Sequence, residues 1–518
     1  KDQCSRTWTR MLWMLIQRLL HFASPPPPSP SLHSGHSPPP PTPANTVVLK
    51  VEDTAPAPTQ AEPIPESDPE APTSAPASAT SNASANSSSS AEPTGAQPTR
   101  SSSTTSLQPF VSRQYVIGGL TFEVDARYVI KSVVGKGAYG LVCAAEDNLA
   151  GSQSPLPGSE EVAGPAAAPA TAPAAAPPSN KVAVKKIIDP FHDHTDSKRL
   201  LREIRLLRSL RHPNVLHLTD IMPPASLSPN NWKDVYLVTR LFDTNLHRVI
   251  YSGQPLTDPH VQYILWQLFR ALRYLHAAQV VHRDMKPTNL LLNRDCELAL
   301  ADFGLARYMP ATDERKSSIA SNAEPRGKSG QLTKYVVTRW YRAPELLVQN
   351  KRYDSKVDMW SVGCILAEVI GAKAVFPGKD SLHQLRLIVE KLGTPSPEEL
   401  AVIENEQAVN YITGLRHKDL GGPQSNVLAR LKGLFPKAEP LLVDLLAQLL
   451  QFDPAKRPTA SEALEHPYLA AYRDAPEEDL PTPEIEMDFE RQSPTKDELR
   501  NLVWEEVVRY HPDLRNRI

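Results

Sequence analysis

The stretch His282-Arg283-Asp284-Met285-Lys286-Pro287-Thr288-Asn289 brings an acid, a cation and an amide together within eight residues, and Asp302-Phe303-Gly304 follows it after a short hairpin-like segment. The carboxylate of Asp284 can accept the proton of a hydroxyl, and the Asn289 amide and the Asp302 carboxylate can hold magnesium. The cation of Lys286 can neutralise charge on a group in transfer. These residue types in this order predict a phosphoryl-transfer site.

Upstream, the segment Gly135-Lys-Gly137-Ala-Tyr-Gly140-Leu-Val142 fits a glycine-rich phosphate loop. Glycines let backbone N–H groups approach phosphate oxygens without a Cβ in the way. Dinucleotide-binding folds share this pattern, but in them a helix follows the glycines directly. A strand follows here, so the context argues against a dinucleotide site.

Lys185 lies in the short apolar strand that begins at Val182, and Glu203 falls on the next predicted helix. Taken alone, Lys185 fits an edge residue of a sheet and Glu203 fits a solvated helix charge. The glycine loop before them favours another interpretation, because a lysine that binds the α and β phosphates of a nucleotide needs an acid to hold it. We therefore predict a Lys185–Glu203 ion pair beside the phosphate loop.

Hydrophobic periodicity predicts strands first and helices afterwards, which is typical of an α+β fold with two lobes. A helix opens near Asp196, and Thr257 or Asp258 caps a second helix with Pro259 in its first turn. The remaining predicted elements are strands over residues 128–134, 141–145, 182–187 and 235–239, and helices over 359–370, 382–392 and 441–451.

Composition divides the chain of 518 residues, because its 52 prolines cluster towards the N-terminus. Residues 1–110 are rich in Pro, Ser, Ala and Thr and bury too little apolar surface to offset chain entropy, so we predict a disordered tail. The proline runs in the tail fit either polyproline II ligands or plain spacer. A second Ala/Pro-rich stretch, 148–180, is predicted to be a loop inserted within the fold.

Charge and apolar patterning exclude several classes of protein. A net charge of -2 argues against a dedicated nucleic-acid binder. No apolar run reaches the roughly 18 to 20 residues that span a bilayer, so we expect no membrane span. The four cysteines lie far apart without paired spacing, which argues against disulfides or structural zinc and fits a reducing compartment.

With these motifs the sequence resembles a eukaryotic protein kinase from about Tyr128 to Leu469, and Ala343-Pro-Glu345 belongs to the same pattern. The resemblance implies that the fold is bilobal, with a small β-rich lobe and a larger helical lobe, and that ATP and Mg2+ are cofactors. It also implies that Glu345 pairs with Arg457 and that Asp358 supports the catalytic loop. By the same resemblance, Thr239 begins the hinge beside the adenine pocket, and Asn245 stands where an aspartate usually binds the ribose.

The sequence also resembles one particular branch of the protein kinase family. Thr333-Lys334-Tyr335, followed by residues 336–345, resembles the activation lip of a mitogen-activated protein kinase, although Lys334 is unusual at its position. Residues 376–385 resemble the helical-lobe insert of that family, and residues 488–506 resemble its C-terminal extension. We therefore expect a lead-in strand over 111–127, a kinase domain over 128–468 with its activation segment at 302–345, and an extension over 469–518 that packs back on the small lobe.

The resemblance implies activation by phosphorylation of Thr333 and Tyr335 and action on Ser or Thr followed by proline. It further implies activation by an upstream dual-specificity kinase, and an acidic docking patch at Asp474 and Glu477 that recruits substrates and phosphatases. We expect the protein in the cytoplasm and nucleus. The candidate partners for phosphothreonine are Arg199, Arg202, Arg283 and Arg307, and those for phosphotyrosine are Arg339 and Arg342.

Two rival interpretations remain at this point. A pseudokinase scaffold would bind partners without catalysis, but the intact Lys185, Asp284, Asn289 and Asp302 argue against it. A cyclin-dependent relative would lack both the spacing to Tyr335 and the C-terminal extension.

Overall fold

The computed structural model describes residues 46–49, 111–137, 140–149, 180–227, 232–254, 256–309, 339–415, 426–473, 475 and 480–517. The disordered tail and the Ala/Pro-rich insertion that we predict lie almost entirely outside these ranges. One short strand, β1 (Thr46–Leu49), is described within the tail, and it pairs in parallel with Ser112–Ile117. At those four residues the structure therefore departs from the predicted tail.

An antiparallel sheet of five strands forms the first part of the fold, in the order β4-β5-β6-β8-β7. Every second residue of β5 is buried, which is the alternation that lets one face of a sheet pack on a core. The five strands are β4 (Tyr128–Gly137), β5 (Gly140–Asp147), β6 (Lys181–Ile187), β7 (Leu218–Met222) and β8 (Val235–Arg240). Four of these strands confirm the predictions, whereas β7 had no counterpart among them.

The single lead-in strand that we predict over 111–127 is a hairpin in the structure. Its strands are β2 (Ser112–Ile117) and β3 (Leu120–Asp125), and Gly118 and Gly119 connect them with φ angles of 56° and 77°. Two consecutive residues with positive φ make the tight turn that hairpins favour, and glycine adopts them without a steric penalty.

Helix α1 (His194–Ser209) packs beside this sheet and begins two residues before the predicted start. The Asp193 side chain caps it by accepting hydrogen bonds from the backbone N–H groups of Thr195 and Asp196. The helix ends at Ser209, four residues before Pro213. Its buried face carries apolar side chains as well as Arg202, Glu203 and Arg205, so charged groups are placed inside the fold.

The second part of the fold is helical, and its long helices match the predictions closely. Thr257 and His260 form a capping box at the start of α3. A buried ion pair closes this part, because Arg457 donates to both carboxylate oxygens of Glu345 at 2.7 and 2.9 Å, as the family resemblance implies. The helices are α2 (Leu246–Ile250), α3 (Asp258–Ala277), α4 (Pro344–Leu347), α5 (Lys356–Gly371), α6 (Ser381–Leu392), α7 (Pro397–Leu400), α8 (Glu406–Leu415), α9 (Val427–Leu434), α10 (Pro440–Leu449) and α11 (Ala460–Leu464).

The helical part also contains two small sheets of short strands. In one small sheet, β11 lies between β12 and β9, and a second pairs β10 with β13. Their bounds are β9 (Thr244–Asn245), β10 (Val280–Val281), β11 (Leu290–Leu292), β12 (Leu298–Leu300) and β13 (Arg307–Tyr308). In the described part of the chain, no helix is long and apolar enough to cross a bilayer.

The C-terminal extension packs back on the small lobe, as the resemblance implies. Its helix α12 (Lys496–Tyr510) lies against α1, where the buried carboxylate of Glu506 contacts Arg205 at 3.1 Å and Arg208 at 2.9 Å. Trp504 meets Trp232 edge to face with ring centroids 5.9 Å apart. The extension is therefore part of the packed structure.

His511 fastens the end of α12 to the sheet. Its Nε2 lies 2.8 Å from Oδ1 of the buried Asp220, and Tyr128 donates its hydroxyl to the other oxygen at 2.6 Å. Burial lowers the pKa of His511, but the hydrogen bond to Asp220, the charge of Asp220 and the contact with the Ile221 carbonyl together raise it more, so the net pKa is above its ordinary value. Burial raises the pKa of Asp220, whereas the hydrogen bonds from His511 and Tyr128 and the nearby positive charges together lower it more, and the net pKa is depressed.

We expect His511→Gln to lower the thermal unfolding midpoint most near pH 6. An imidazole with a raised folded pKa stabilises fully below its unfolded pKa of about 6.5, and the contribution is lost as pH rises through the folded value. Hydrogen bonds to charged groups are worth about 1.5–3 kcal/mol. The measurement is calorimetry between pH 5.5 and 9, with the exposed His192→Gln as control. If the unfolding midpoint of His511→Gln lies below that of the wild type by the same amount at every pH in this range, the result would contradict the ion pair.

Candidate active site

The segment 282–289 is held in place by the carboxylate of Asp358, which projects from α5 and has no exposed surface. Its Oδ2 accepts the backbone N–H of His282 at 2.9 Å, and its Oδ1 accepts that of Arg283 at 2.8 Å. Arg283 has a φ of 67°, a left-handed conformation that costs energy unless the surroundings enforce it. Asp358 therefore supports the loop, as the resemblance implies.

A further partner of Asp358 had no signal in the sequence. His276, near the end of α3, places its Nε2 3.1 Å from Asp358 Oδ2. Burial raises the pKa of Asp358, but the hydrogen bond with His276 and the charges around it lower the pKa more. The carboxylate therefore stays ionised and remains an acceptor for both backbone N–H groups.

Asp284 lies inside the cleft, with Lys286 beside it. Lys286 Nζ is 2.5 Å from Asp284 Oδ2, and Asn289 donates to the backbone carbonyl of Asp284 at 3.0 Å. Burial raises the pKa of Asp284, and the charge of Lys286 opposes that rise. A carboxylate whose pKa is raised towards neutrality is a better proton acceptor than an ordinary surface aspartate.

Asp302 completes the group. Asn289 Nδ2 lies 3.4 Å from Asp302 Oδ2, and Lys286 Nζ lies 4.0 Å from the same oxygen. Burial raises the pKa of Asp302, but the charges of Lys185 and Lys286, together with His282 and a backbone hydrogen bond from Gly304, lower it more, so this carboxylate stays ionised. The structure therefore brings Asp284, Lys286, Asn289 and Asp302 into one cluster.

The predicted contact between Lys185 and Glu203 is present, with Nζ 2.6 Å from Oε1. Lys185 lies on β6, where it faces Val142 of β5, and Glu203 projects from α1. Burial raises the pKa of Glu203, and the charge of Lys185 opposes that rise. The position of α1 therefore decides whether the Lys185 ammonium is held beside the cleft.

The glycines of the phosphate loop differ in whether the structure requires glycine at their positions. At Gly140 the φ is 151° and an added Cβ would lie 1.7 Å from the Lys186 carbonyl, so the contact between β5 and β6 admits only glycine. At Gly135 an added Cβ would meet nothing within 4 Å. Gly137 ends β4, and the next two residues lie outside the described ranges.

The hinge region shows a structural use for Asn245 that the resemblance did not suggest. Asn245 caps α2, because its Oδ1 accepts the backbone N–H of Arg248 at 3.0 Å. Arg248 in turn donates to the carbonyl of Val134, in the strand before the glycine loop, at 3.0 Å. Thr239 lies in β8 and is almost fully buried. The side-chain oxygen of Asn245 thus already has a partner, whereas its amide N–H groups remain available as donors.

The donor set fits magnesium. Mg2+ prefers oxygen ligands, and in phosphoryl-transfer sites it takes one or two protein ligands together with phosphate oxygens and water. The Asn289 amide donates through its nitrogen to the Asp284 carbonyl, which leaves its oxygen for a cation beside the ionised Asp302. The described residues contain no cluster of three or more His, Cys, Asp or Glu side chains that could hold a metal ion on their own.

Two of the arginines proposed for phosphothreonine surround Glu490 of the C-terminal extension. Arg202 Nε lies 2.5 Å from Glu490 Oε1, and Arg307 Nη1 lies 4.0 Å from the same oxygen. Arg202 also donates to the carbonyl of Gly304 at 2.5 Å. Burial raises the pKa of Glu490, but the charge and hydrogen bond of Arg202, together with the charges of Arg307 and Lys198, lower it more. No pattern in the sequence predicts this acidic partner.

The other arginines have separate contacts. Arg283 donates to the Tyr353 hydroxyl at 3.0 Å, and Arg199 lies 3.3 Å from Asp196. Arg339 donates to the carbonyl of Lys379 at 2.9 Å, and Arg342 forms a backbone turn with Arg339. The predicted phosphosites Thr333 and Tyr335 and the docking residues Asp474 and Glu477 lie outside the described residues.

Comparison with known proteins agrees with this geometry. The family model described as "Protein kinase domain" matches residues 174–469. The chain is 42% identical over 402 residues to the mitogen-activated protein kinase homolog MMK2 of Medicago sativa. This match covers 77% of the present chain and 93% of the relative. It is 41% identical over 400 residues to mitogen-activated protein kinase 4 of Arabidopsis thaliana, covering 77% and 92%.

A third relative is extracellular signal-regulated kinase 1 of Dictyostelium discoideum, 41% identical over 399 residues; the match covers 77% of this chain but 65% of that protein. The family model begins after the glycine loop, whose strands the structure nevertheless places directly beside Lys185. The catalytic cluster, the two-part fold and these similarities agree, and the chain belongs to the protein kinase family as a Ser/Thr kinase of the mitogen-activated group.

Proposed function

We propose that this kinase transfers the γ-phosphate of ATP to Ser or Thr residues followed by proline, in intracellular signalling. The observation that carries the proposal is the convergence of Lys185, Asp284, Asn289 and Asp302 on one cleft. These groups supply the positioning and charge stabilisation on which phosphoryl transfer depends.

Each side chain then has a role that its surroundings support. Asp284 would accept the proton of the substrate hydroxyl, and Lys286, 2.5 Å away, would neutralise charge that develops on the transferring phosphoryl group. Lys185, held by Glu203, would orient the α and β phosphates. Magnesium, when bound by Asn289 and Asp302, would neutralise phosphate charge. The glycine loop from Gly135 to Val142, with Thr239 and Asn245, would enclose the rest of the nucleotide.

We propose that phosphorylation of Thr333 and Tyr335 activates the kinase. Arg202 and Arg307 already bind one carboxylate, that of Glu490, so a cationic site exists for the lip to enter. A phosphate carries about -1.5 to -2 charge, more than the carboxylate that it would replace. Phosphothreonine would then draw together α1 and the lip, with Arg199 and Arg283 as further partners. Phosphotyrosine would take Arg339 and Arg342.

Partners and location follow from the family. We propose that an upstream dual-specificity kinase phosphorylates the lip and that substrates and phosphatases bind the acidic patch at Asp474 and Glu477. We also propose a cytoplasmic and nuclear location and no role in nucleic-acid binding.

Lys334 stands between the two phosphosites, so the upstream enzyme must accept a cation there. Imaging of a tagged chain and pull-down with Asp474→Asn/Glu477→Gln would test location and docking.

We expect Asp284→Asn to reduce phosphate transfer by about 10²- to 10⁴-fold, because an amide cannot accept the hydroxyl proton. The measurement is transfer of labelled γ-phosphate by purified, lip-phosphorylated protein. Asp295→Asn, in an exposed turn, is the matched control and should keep full activity. Equal activity in Asp284→Asn at an unchanged melting temperature would refute the proposed base.

We expect Thr333→Ala and Tyr335→Phe each to lower activity by more than about tenfold after treatment with an activating kinase. A phosphate creates one to three charge-assisted hydrogen bonds, and each is worth about 1.5–3 kcal/mol. Phosphopeptide mapping gives the stoichiometry at both residues beside the measured rate. Full activity of the doubly substituted protein would exclude activation by lip phosphorylation. We also expect the lip-phosphorylated protein to be active without any cyclin.

We expect a peptide with Ser-Pro to be phosphorylated with at least tenfold higher kcat/KM than the same peptide with Ser-Ala, which corresponds to about 1.4 kcal/mol. The comparison uses one lip-phosphorylated preparation and equal peptide concentrations. Equal kcat/KM values for both peptides would contradict the proposed proline preference but not the kinase activity.

A further inference from the structure

Helix α5 carries a second buried carboxylate, Glu368, which has no part in the chemistry proposed above. Only 1% of its surface is exposed, and its helix neighbours on the buried face are mostly apolar. A buried carboxylate needs hydrogen-bond donors or a cation, because burial without them costs several kcal/mol. The side-chain donors to Glu368 are neutral hydroxyl groups.

Two tyrosine hydroxyls are those partners. Tyr251 donates to Oε1 of Glu368 at 2.9 Å, and Tyr341 donates to Oε2 at 2.6 Å. Each carboxylate oxygen therefore has one side-chain donor. Removing either hydroxyl would leave one oxygen of a buried anion without that donor, which is the costly case for a buried polar group.

The two tyrosines come from parts of the chain that are far apart in sequence. Tyr341 lies at the end of the activation lip, is buried, and accepts a hydrogen bond on its carbonyl from Ser361 Oγ of α5 at 2.8 Å. Tyr251 follows α2, and its ring packs on His247 with centroids 4.6 Å apart. Glu368 thus connects the end of the lip to the segment after α2.

Tyr251 differs from Tyr341 in its exposure. It is 48% exposed, so it covers Glu368 from the solvent side and can be substituted without opening the core. Burial and the hydrogen bond to Glu368 raise the pKa of Tyr251 to about 12, so its hydroxyl stays protonated and continues to donate at physiological pH. With Tyr251 in place, the carboxylate is oriented and its second oxygen is fixed for Tyr341.

We propose that Tyr251 is a positioning residue for the protein substrate: through Glu368 it fixes Tyr341 at the end of the lip, and this part of the lip receives the substrate. As a positioning residue, Tyr251 acts without contacting nucleotide or substrate. Its effect therefore falls on substrate binding rather than on the chemical step. The inference rests on the kinase activity and is independent of the proposed proline preference.

The test is steady-state kinetics of lip-phosphorylated protein with a basic protein substrate and, separately, with ATP varied. Tyr251→Phe should raise KM for the protein substrate about 3- to 10-fold, as expected for the loss of one hydrogen bond of ordinary strength, and should leave kcat and the KM for ATP within about two-fold. Glu368→Gln should raise the same KM, and the double variant should be no worse than the poorer single variant, because both changes break one interaction.

Two further variants separate positioning from general destabilisation. Tyr468→Phe removes a hydroxyl that lies 3.2 Å from Asp258 Oδ1 in the same lobe, and it should leave KM for the protein substrate unchanged. Tyr251→Lys keeps a donor of similar reach and should restore KM to within about two-fold of wild type. The assignment is overturned if Tyr251→Phe leaves KM for the protein substrate unchanged, if it raises the KM for ATP equally, or if Tyr251→Lys is as impaired as Tyr251→Phe.

Discussion

The buried carboxylate of Asp358 receives the backbone N–H groups of His282 and Arg283, and the rest of the catalytic centre depends on this contact. Because Asp358 is part of α5, in the middle of the helical core, it transfers the rigidity of that core to a loop that has little regular structure of its own. The left-handed conformation at Arg283 is enforced in this way. Asp284 and Asn289 then lie together in the cleft, where the Asn289 amide donates to the backbone carbonyl of Asp284.

In the small lobe, Glu203 contacts Lys185 from a helix whose buried face also carries arginines. Those buried arginines need acidic partners of their own. The C-terminal extension supplies the acids, with Glu490 against Arg202 and Glu506 against Arg205. These ion pairs replace water around charges that would otherwise be costly to bury. The orientation of α1 is therefore shared between the sheet and the extension, and a lip phosphate that engaged Arg202 would enter an existing charge network.

Sequence patterns were most reliable where one residue type has one physical use. The alternation of apolar residues identified four strands of the five-stranded sheet, and the capping residues placed the starts of α1 and α3 within two residues. The contact of Lys185 with Glu203 also followed from the residues, because a phosphate-binding lysine needs a counter-charge. The hairpin at Gly118–Gly119 was missed, although two adjacent glycines between apolar strands are a turn signal.

From the sequence alone came the chemistry of the cleft, the two-part fold and the family, because each depends on residue types at short and regular spacings. Only the tertiary structure decided which distant charges meet. Glu490 lies 288 residues from Arg202, and Tyr251 lies 117 residues from Glu368, and nothing in local propensity or spacing couples such positions. The physical reason is that a buried charge takes its partner from whichever element the packing brings within hydrogen-bond distance.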